Sequence, residues 1–287
     1  MPGELELGKI YNALEKTYKP KQKESDTITS SVPIEINDKN KSVEFYDDSQ
    51  SENISVQENI AHNLVTILEP YSVVSEQFRL LKNNILFPEK GQPPRTIMVT
   101  SPSPNEGKSF IAANLAASIA QSIDEYVLLM DCDLRSPSIH SLFGFKGSQK
   151  GLSDYLSDRI DLPSVLKKTT INKLTILPAG KIPRNPSELL SSEQMRRMLH
   201  EVKLRYNDRY IIIDTPPPYI TSETNAIARY VDGIIVVVRH GKTRMKEIKD
   251  IVDIYGKENI LGVVSNFSKK GIGYGYRYHK YGYGYKQ

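Results

Sequence analysis

Residues 97–109, with the sequence IMVTSPSPNEGKS, constrain the fold more than any other part of the chain. The first four are apolar or β-branched and predict a buried strand, and the prolines, asparagine and glycine that follow predict a loop. Lys108 and Ser109 then open an Ala-rich stretch that predicts a helix. A strand, a loop, Gly-Lys-Ser and a helix in this order indicate a P-loop, in which backbone N–H groups and the helix N-terminus bind phosphate. The residues expected to line this site are Pro104, Asn105, Glu106, Gly107, Lys108, Ser109 and Phe110.

The loop departs from the usual GxxxxGK[ST] pattern at Pro102, which stands where that pattern has its first glycine. A bare Gly-Lys-Ser is also typical of a surface turn, so the interpretation depends on the elements around it. In a P-loop, Lys108 reaches the β- and γ-phosphates of ATP and the Ser109 hydroxyl holds Mg²⁺.

Two further apolar runs end in acidic residues. Residues 126–131 lead into Asp131-Cys132-Asp133, and residues 210–213 lead into Asp214 and Thr-Pro-Pro, the Walker-B arrangement. Ligands of open α/β sheets bind at the carboxyl ends of strands, where carboxylates suit Mg²⁺ beside a triphosphate. Arg135 is expected to neutralise phosphate charge. The other interpretation of residues 131–133 is a helix N-cap within a surface loop.

Strands and helices alternate along the rest of the chain, which predicts a mostly parallel sheet with helices on both faces. Residues 138–172 predict short helices and loops, and residues 185–205 predict one long amphipathic helix. The other predicted elements are strands at 174–177, 233–238 and 260–265 and helices at 72–87, 225–230 and 242–255. The expected fold class is therefore α/β, a P-loop NTPase.

Composition limits the organisation of the chain and its partners. The 287 residues suffice for one large domain plus a tail, and the net charge of +4 does not by itself indicate nucleic acid binding. The only cysteine, Cys132, excludes an intrachain disulfide framework and fits a reducing cytoplasm. No apolar run approaches the roughly 20 residues needed to span a bilayer, and the N-terminus lacks the features of a signal peptide.

The two ends of the chain differ from the middle. The composition of residues 1–60 predicts a short helix and a flexible acidic linker. Residues 61–268 are expected to form the catalytic domain. Residues 269–287 form a tyrosine-rich tail, which is compatible with a sticky low-complexity segment, a base-stacking platform for single-stranded nucleic acid, or a row of phosphorylation sites. The tail tyrosines are Tyr274, Tyr276, Tyr278, Tyr281, Tyr283 and Tyr285.

Together the P-loop SPSPNEGKS, the acidic motif LLMDCDLRSP, the segment IIIDTPP and the tyrosine-rich C-terminus resemble the bacterial tyrosine kinase family, the capsular and exopolysaccharide biosynthesis autokinases. The resemblance covers roughly residues 62–287. It implies a fold of the deviant Walker type found in MinD- and ParA-like proteins, and ATP-dependent autophosphorylation of the tail tyrosines between subunits.

The resemblance also implies roles for individual residues. Lys108 and Ser109 bind phosphate and Mg²⁺, Asp131 is the base that accepts the tyrosine proton, and Asp133 and Asp214 organise the metal. The family's ring-forming Glu-x-x-Arg-x-x-Arg motif corresponds to Glu76, Arg79 and Lys82, where a lysine replaces the last arginine and loses its bidentate geometry. On the residues alone, such charges are usually just a solvated helix face with weak pairing.

The implied partners are other copies of the chain in a ring-like homo-oligomer such as an octamer, a membrane polysaccharide co-polymerase that activates the kinase, and a tyrosine phosphatase, but no nucleic acid. The implied location is the cytoplasm, at the inner face of the plasma membrane through that partner. The nearest alternative is a partitioning or septum-placement ATPase. Those proteins have a lysine five residues before the P-loop lysine, and here that position is Ser103.

Overall fold

The computed structural model describes residues 63–146, 150–157, 160–205, 209–221 and 223–268. The expectations for residues 1–60 and for the tail at 269–287 lie outside these ranges. The strands are β1 (Thr96–Thr100), β2 (Tyr126–Asp131), β3 (Lys167–Lys168), β4 (Leu174–Leu177), β5 (Arg209–Asp214), β6 (Gly233–Arg239) and β7 (Ile260–Asn266). The helices are α1 (Val65–Leu68), α2 (Val73–Leu86), α3 (Lys108–Ala120), α4 (Ile139–Leu142), α5 (Leu152–Leu156), α6 (Leu162–Val165), α7 (Pro186–Leu190), α8 (Glu193–Arg205), α9 (Glu223–Ala228) and α10 (Met245–Tyr255), with a 3₁₀ turn at Lys257–Asn259.

All seven strands form one sheet, in the order β3-β4-β2-β5-β1-β6-β7. Every neighbouring pair is parallel except β3 with β4, so the sheet is mostly parallel, as the alternation of elements predicts. The strand that leads into the P-loop, β1, lies between β5 and β6. The carboxyl ends of these strands therefore meet at one edge of the sheet.

Alternate residues of the central strands point to opposite faces and build two hydrophobic cores. Met98, Met130 and Ile213 belong to the core beneath α5–α10, whereas Ile97 and Leu129 belong to the core beneath α1–α4. Because both faces are covered, the inner strands are continuous apolar runs rather than alternating ones. The predicted helices on both faces are confirmed.

Helix α3 carries the P-loop lysine and is enclosed along most of its length. Residues 111–120 are all buried, since their mostly small side chains let the sheet on one side and α1 and α2 on the other approach closely. Asn114 fixes α1 to it, because its side chain accepts a hydrogen bond from the Thr66 backbone N–H at 3.1 Å and donates to the Asn63 carbonyl at 2.8 Å. Helix α1 is thereby held against α3.

Two predictions of local structure were wrong. The single helix expected at 185–205 is two helices, α7 and α8, because the Ser192 hydroxyl accepts the Met195 N–H at 3.1 Å and caps a new helix start. The predicted inner side of this segment, including Met198 and Val202, is nevertheless buried. The region expected to hold only short helices and loops also contains β3, a two-residue antiparallel strand too short to give a pattern.

None of the helices in the described ranges is both long enough and apolar enough to cross a membrane.

Candidate active site

The loop between β1 and α3 has the backbone conformation of a phosphate-binding turn. Asn105 and Gly107 both have positive φ, at 61° and 86°, and Gly107 is the N-cap of α3. Asparagine tolerates this left-handed conformation better than most residues, and glycine has no Cβ to oppose it. The first N–H groups of α3, beginning at Lys108 and Ser109, have no acceptor within the helix and are available to an anion.

Lys108 lies at the centre of the cluster and is mostly buried. Its ammonium forms an ion pair with a carboxylate oxygen of Asp133, with 2.9 Å between Nζ and Oδ2. Burial lowers the pKa of Lys108, but the charges of Asp214 and Asp133 raise it by more, so the net shift is upward and the side chain stays protonated. The predicted phosphate lysine and one predicted metal ligand are thus in direct contact.

Asp131 and Asp214 are brought together by strand register. They are paired residues at the ends of the neighbouring parallel strands β2 and β5, and both are fully buried. One Asp131 oxygen accepts the backbone N–H groups of Ser138 and Ile139, at 3.1 and 3.0 Å, and the other accepts that of Asp133 at 3.2 Å. Burial and the nearby Asp214 carboxylate hold the pKa of Asp131 well above its usual range despite these hydrogen bonds.

Asp214 differs from Asp131 because neither of its carboxylate oxygens has a hydrogen-bond partner in the described part of the chain, although both are buried. Burial raises the pKa of Asp214 to about 6, and the Lys108 charge and the adjacent Ser109 hydroxyl oppose that rise. An unsatisfied buried carboxylate is costly, and a cation or a metal-bound water would satisfy it. The residues present therefore fit Mg²⁺.

The protein side chains supply only part of such a metal site. No group of three or more His, Cys, Asp or Glu side chains in the described ranges is arranged to hold a metal ion by itself. Mg²⁺ commonly keeps several waters and combines one or two carboxylates with substrate phosphates. Ser109, Asp133 and Asp214 are the side chains that would hold the ion here.

Arg135 contacts Glu223 and Ser187. Its guanidinium donates to Glu223 at 3.1 Å and to the Ser187 hydroxyl at 3.2 Å, and about half of the side chain is exposed. Glu223, by contrast, is buried, and one of its carboxylate oxygens has no hydrogen-bond partner among the described residues. The pair connects the loop after β2 to the N-terminal ends of α7 and α9. The expected contact of Arg135 with phosphate stays a prediction.

The side chain of Glu106 forms hydrogen bonds within the loop and to the turn after β6. It is buried, and its carboxylate accepts the Ser103 backbone N–H at 3.1 Å and the Thr243 hydroxyl. Thr243 also accepts the Arg239 N–H at 2.8 Å, so it connects the P-loop to the turn after β6. No motif marks Thr243 in the sequence, because the contact joins residues 137 positions apart.

The end of β7 was also missed by sequence reasoning. The Asn266 amide donates to the Glu106 backbone carbonyl at 3.0 Å, and Phe267 follows directly. The signal available in the sequence was only positional, since residues that follow a parallel strand lie at the same sheet edge as the other strand ends.

The predicted self-association motif lies on the outer surface of α2, whose N-cap is Ser72. Glu76 and Arg79 form an exposed ion pair one helical turn apart, and Arg79 also donates to the Pro70 carbonyl. Burial and the charge of Arg79 lower the pKa of Lys82. Val73 and Leu80, one heptad apart, are exposed on the same helix.

Comparisons with known proteins identify the family of the chain. A family model of the ParA type, described as NUBPL iron-transfer P-loop NTPase, matches residues 93–275. The tyrosine-protein kinase YwqD of Bacillus subtilis is 34% identical over 209 residues, which are 72% of this chain and 86% of YwqD. The tyrosine-protein kinase Ptk of Acinetobacter johnsonii is 36% identical over 177 residues, which are 62% of this chain but only 24% of that longer protein.

A solved structure shows the same relationship. The kinase domain of the Escherichia coli tyrosine kinase ETK matches with a TM-score of 0.64 and 30% identity, and the match covers 77% of this chain and 84% of that domain. Both the sequence and the fold of the chain are thus similar to those of tyrosine kinases. The chain therefore belongs to the ParA-type P-loop NTPases and, within them, to the bacterial tyrosine kinases, and its activity is that of a protein-tyrosine kinase.

Proposed function

We propose that this kinase transfers the γ-phosphoryl group of ATP to tyrosines of its own C-terminal tail, between subunits. The observation that carries the proposal is the buried and unsatisfied carboxylate of Asp214 beside the Lys108–Asp133 ion pair, at the end of the strand next to the P-loop. A structural role alone gives no reason to leave a buried carboxylate without a partner.

In the proposed mechanism, the N–H groups at the start of α3 and the ammonium of Lys108 bind the phosphates of ATP. Lys108 must then leave Asp133, which frees that carboxylate for the metal. Mg²⁺, held by Ser109, Asp133 and Asp214, would offset the negative charge of the phosphates during transfer.

Asp131 is the proposed base. The tyrosine hydroxyl oxygen forms a bond to the γ-phosphorus, the bond from that phosphorus to the ADP oxygen breaks with its electron pair going to ADP, and the hydroxyl proton moves to Asp131. A carboxylate whose pKa is raised towards neutrality is a better proton acceptor than an ordinary one. Arg135, released from Glu223, is proposed to neutralise phosphate charge.

The position of β7 supports tail phosphorylation. Because β7 runs parallel to β6, the chain leaves the sheet at the edge where the P-loop lies. The 19 residues from Asn266 to Tyr285 span at most about 65 Å when extended, which is enough to reach a neighbouring subunit.

The test is a mixing experiment. Lys108→Met protein with an intact tail is incubated with ATP, Mg²⁺ and a wild-type kinase that lacks residues 269–287, and tail phosphotyrosine is measured. We expect phosphorylation of the inactive protein by the tail-less one and none when either is incubated alone. Phosphorylation that occurs only in unmixed wild-type chains would show transfer within one subunit.

The cellular role is proposed from the family. Tail phosphorylation regulates the synthesis or export of a capsular or exopolysaccharide, in a cytoplasmic enzyme recruited to the plasma membrane by a polysaccharide co-polymerase and reset by a tyrosine phosphatase. Removal of this kinase from the cell should change the chain length or the amount of the polysaccharide. The Lys108→Met variant should reproduce that change.

A further inference from the structure

The ion pair between Arg135 and Glu223 lies beside the proposed transfer site. Glu223 opens α9, and the next residue, Thr224, donates its hydroxyl to the Pro216 carbonyl at 2.7 Å. Pro216 is the second residue after Asp214, so the start of α9 is fixed to the loop that follows the unsatisfied carboxylate. The three aspartates of the cluster all have a part in the proposed transfer, whereas Glu223 has none.

The pairing leaves the carboxylate of Glu223 only half satisfied. A guanidinium can donate two parallel hydrogen bonds to one carboxylate. Arg135 instead divides its donors, with Nε on Oε1 of Glu223 at 3.1 Å and Nη2 on the Ser187 hydroxyl at 3.2 Å. The other oxygen of Glu223, Oε2, is buried and has no hydrogen-bond partner in the described ranges. An unsatisfied buried carboxylate oxygen is costly, and a further cationic donor would satisfy it.

The two partners differ in exposure. About half of the Arg135 side chain is open to solvent, whereas only 1% of the Glu223 side chain is. In the proposed mechanism Arg135 leaves for the phosphates, and the buried carboxylate then has no cation at all. Removing one partner of a buried ion pair is strongly unfavourable unless another cation takes its place.

The proposed substrate has such cations next to its tyrosines. Residues 268–287 contain arginine and lysine but no acidic residue. Four of the six tail tyrosines directly adjoin a basic residue, and the other two lie between glycines. The tyrosines beside a basic residue are Tyr276, Tyr278, Tyr281 and Tyr285, and those between glycines are Tyr274 and Tyr283.

We propose that Glu223 is a specificity residue that binds the basic side chain next to the acceptor tyrosine. Arg135 moves to the phosphates, and a guanidinium or ammonium of the acceptor segment takes its place on Glu223. Because this exchange keeps the buried carboxylate paired, an acceptor tyrosine beside a cation is favoured over one between glycines. This inference rests on the proposed transfer to tail tyrosines.

The test compares tyrosines within the same chain. Wild type and Glu223→Gln are incubated with ATP and Mg²⁺, and the phosphorylation of each tail tyrosine is followed over time by mass spectrometry. Hydrogen bonds to charged groups predict that wild type modifies the four tyrosines beside a basic residue about tenfold faster than the two between glycines. In Glu223→Gln this ratio should fall to nearly one. Because the ratio is internal to the chain, a general loss of activity does not change it.

Changes in the tail test the preference without altering the catalytic domain. Arg277→Gly should slow the modification of both neighbouring tyrosines, and Gly282→Arg should speed that of Tyr283. Neither tail change should have an effect when it is combined with Glu223→Gln. Glu188→Gln, a change at an exposed acid in the first turn of α7, is the matched control and should keep the wild-type preference.

A binding measurement decides the case in which Glu223→Gln is inactive. Affinities of the full chain are measured by fluorescence anisotropy, with Mg²⁺ and a non-hydrolysable ATP analogue present, for two labelled peptides. One peptide has the sequence of residues 273–281, and the other has glycine in place of Arg277 and Lys280. Wild type should bind the first about tenfold more tightly than the second, and Glu223→Gln should bind the two alike.

The outcomes separate this inference from the proposed function. If wild type modifies its tail tyrosines at rates that the tail changes do not alter, the tail is the substrate and the role of Glu223 is wrong. If Glu223→Gln keeps the preference, or Glu188→Gln loses it, the assignment to Glu223 is also wrong. If wild type modifies no tail tyrosine, the proposed function fails and the specificity role with it.

Discussion

Asp131 and Asp214 occupy paired positions at the ends of two parallel strands, yet only Asp131 has its carboxylate satisfied by backbone N–H groups. The loop after β2 turns back to donate to Asp131, whereas both oxygens of Asp214 lack such backbone donors in the described ranges and have only the Ser109 hydroxyl nearby. The protein thus keeps one acid fixed in place and leaves the other available for a ligand. The unsatisfied acid has a cost in stability that can be measured.

The first prediction is that Asp214→Asn stabilises the ligand-free protein at neutral pH. Because the pKa of Asp214 is about 6 in the folded state and 3.8 for an ordinary aspartate, the folded state binds this proton more tightly than the unfolded state. The stability due to this group is fully present below about pH 4 and is lost as the pH rises through about 6. The loss amounts to about 2 to 3 kcal/mol, and the neutral asparagine avoids it.

Thermal or urea unfolding checks this prediction at pH 7.5 and at pH 4.5. Asp214→Asn should be more stable than wild type at pH 7.5, and the difference should shrink at pH 4.5. Glu89→Gln, a change at an exposed carboxylate, is the matched control and should show no such dependence. A variant that is less stable than wild type at pH 7.5 would contradict the prediction.

A second prediction separates Asp131 from Asp133. Asp133 contacts Lys108 and is a proposed metal ligand, so Asp133→Asn should weaken Mg·ADP binding by tenfold or more. Asp131→Asn removes the proposed base, so it should slow transfer by about 10²-fold or more while affecting nucleotide affinity less. Calorimetry gives the affinities and a phosphotyrosine time course gives the rates.

The interpretation of these variants needs a folding control, because the amide of Asp131→Asn would face the backbone donors of Ser138 and Ile139. Melting curves show whether that loop is retained. If both variants lose nucleotide affinity to the same degree, both acids act on the metal and Asp131 is not the base.

The elements at the centre of the sheet could be predicted from the sequence because their runs are continuously apolar and β-branched. Residues 97–100 and 210–213 are examples, and the polar residues that follow each run place the site at the strand ends. Contacts between residues that are far apart in the sequence could not be predicted. Glu106 is in the motif, but its partner Thr243 is distant in sequence, and Phe267 reaches the P-loop only because β7 adds to the sheet beside β6.

The break between α7 and α8 shows a different limit. The apolar residues between 189 and 202 recur at a spacing close to that of one helix, so the pattern predicts one helix even though residues 191–194 are all polar. A local hydrogen bond at Ser192 outweighs the pattern and starts a second helix. The burial of the side chains was therefore predicted correctly while the course of the backbone was not.

A third prediction concerns the connection between Glu106 and Thr243. Thr243→Val keeps the shape of the side chain but removes the hydroxyl that donates to the buried carboxylate and accepts the Arg239 N–H. Loss of a partner for a buried polar group costs about 1 to 3 kcal/mol, so the variant should unfold more easily. The P-loop should also be less well fixed, which should weaken Mg·ADP binding several-fold.

Thr243→Ser is the matched control, since it keeps the hydroxyl, and it should restore most of the stability and the affinity. Urea unfolding and calorimetry on the three proteins check both effects. If Thr243→Val is as stable as Thr243→Ser and binds Mg·ADP as tightly, the hydroxyl does not connect the two segments.

The last prediction concerns self-association through Glu76 and Arg79. The family resemblance assigns them to a ring interface, and here both are exposed on α2 beside the exposed Val73 and Leu80. An exposed ion pair within one helix contributes at most about 1 kcal/mol, so replacing both charges with alanine should hardly change the melting temperature of the monomer. The same change should shift the mass measured by light scattering towards that of a monomer and slow tail phosphorylation, because transfer is proposed to occur between subunits.

Gln77→Ala, at an exposed position between the two, should leave mass and rate unchanged. A double variant that keeps the wild-type mass would mean that the pair is only part of a solvated helix face, whereas a lower mass without slower phosphorylation would place the transfer within one subunit.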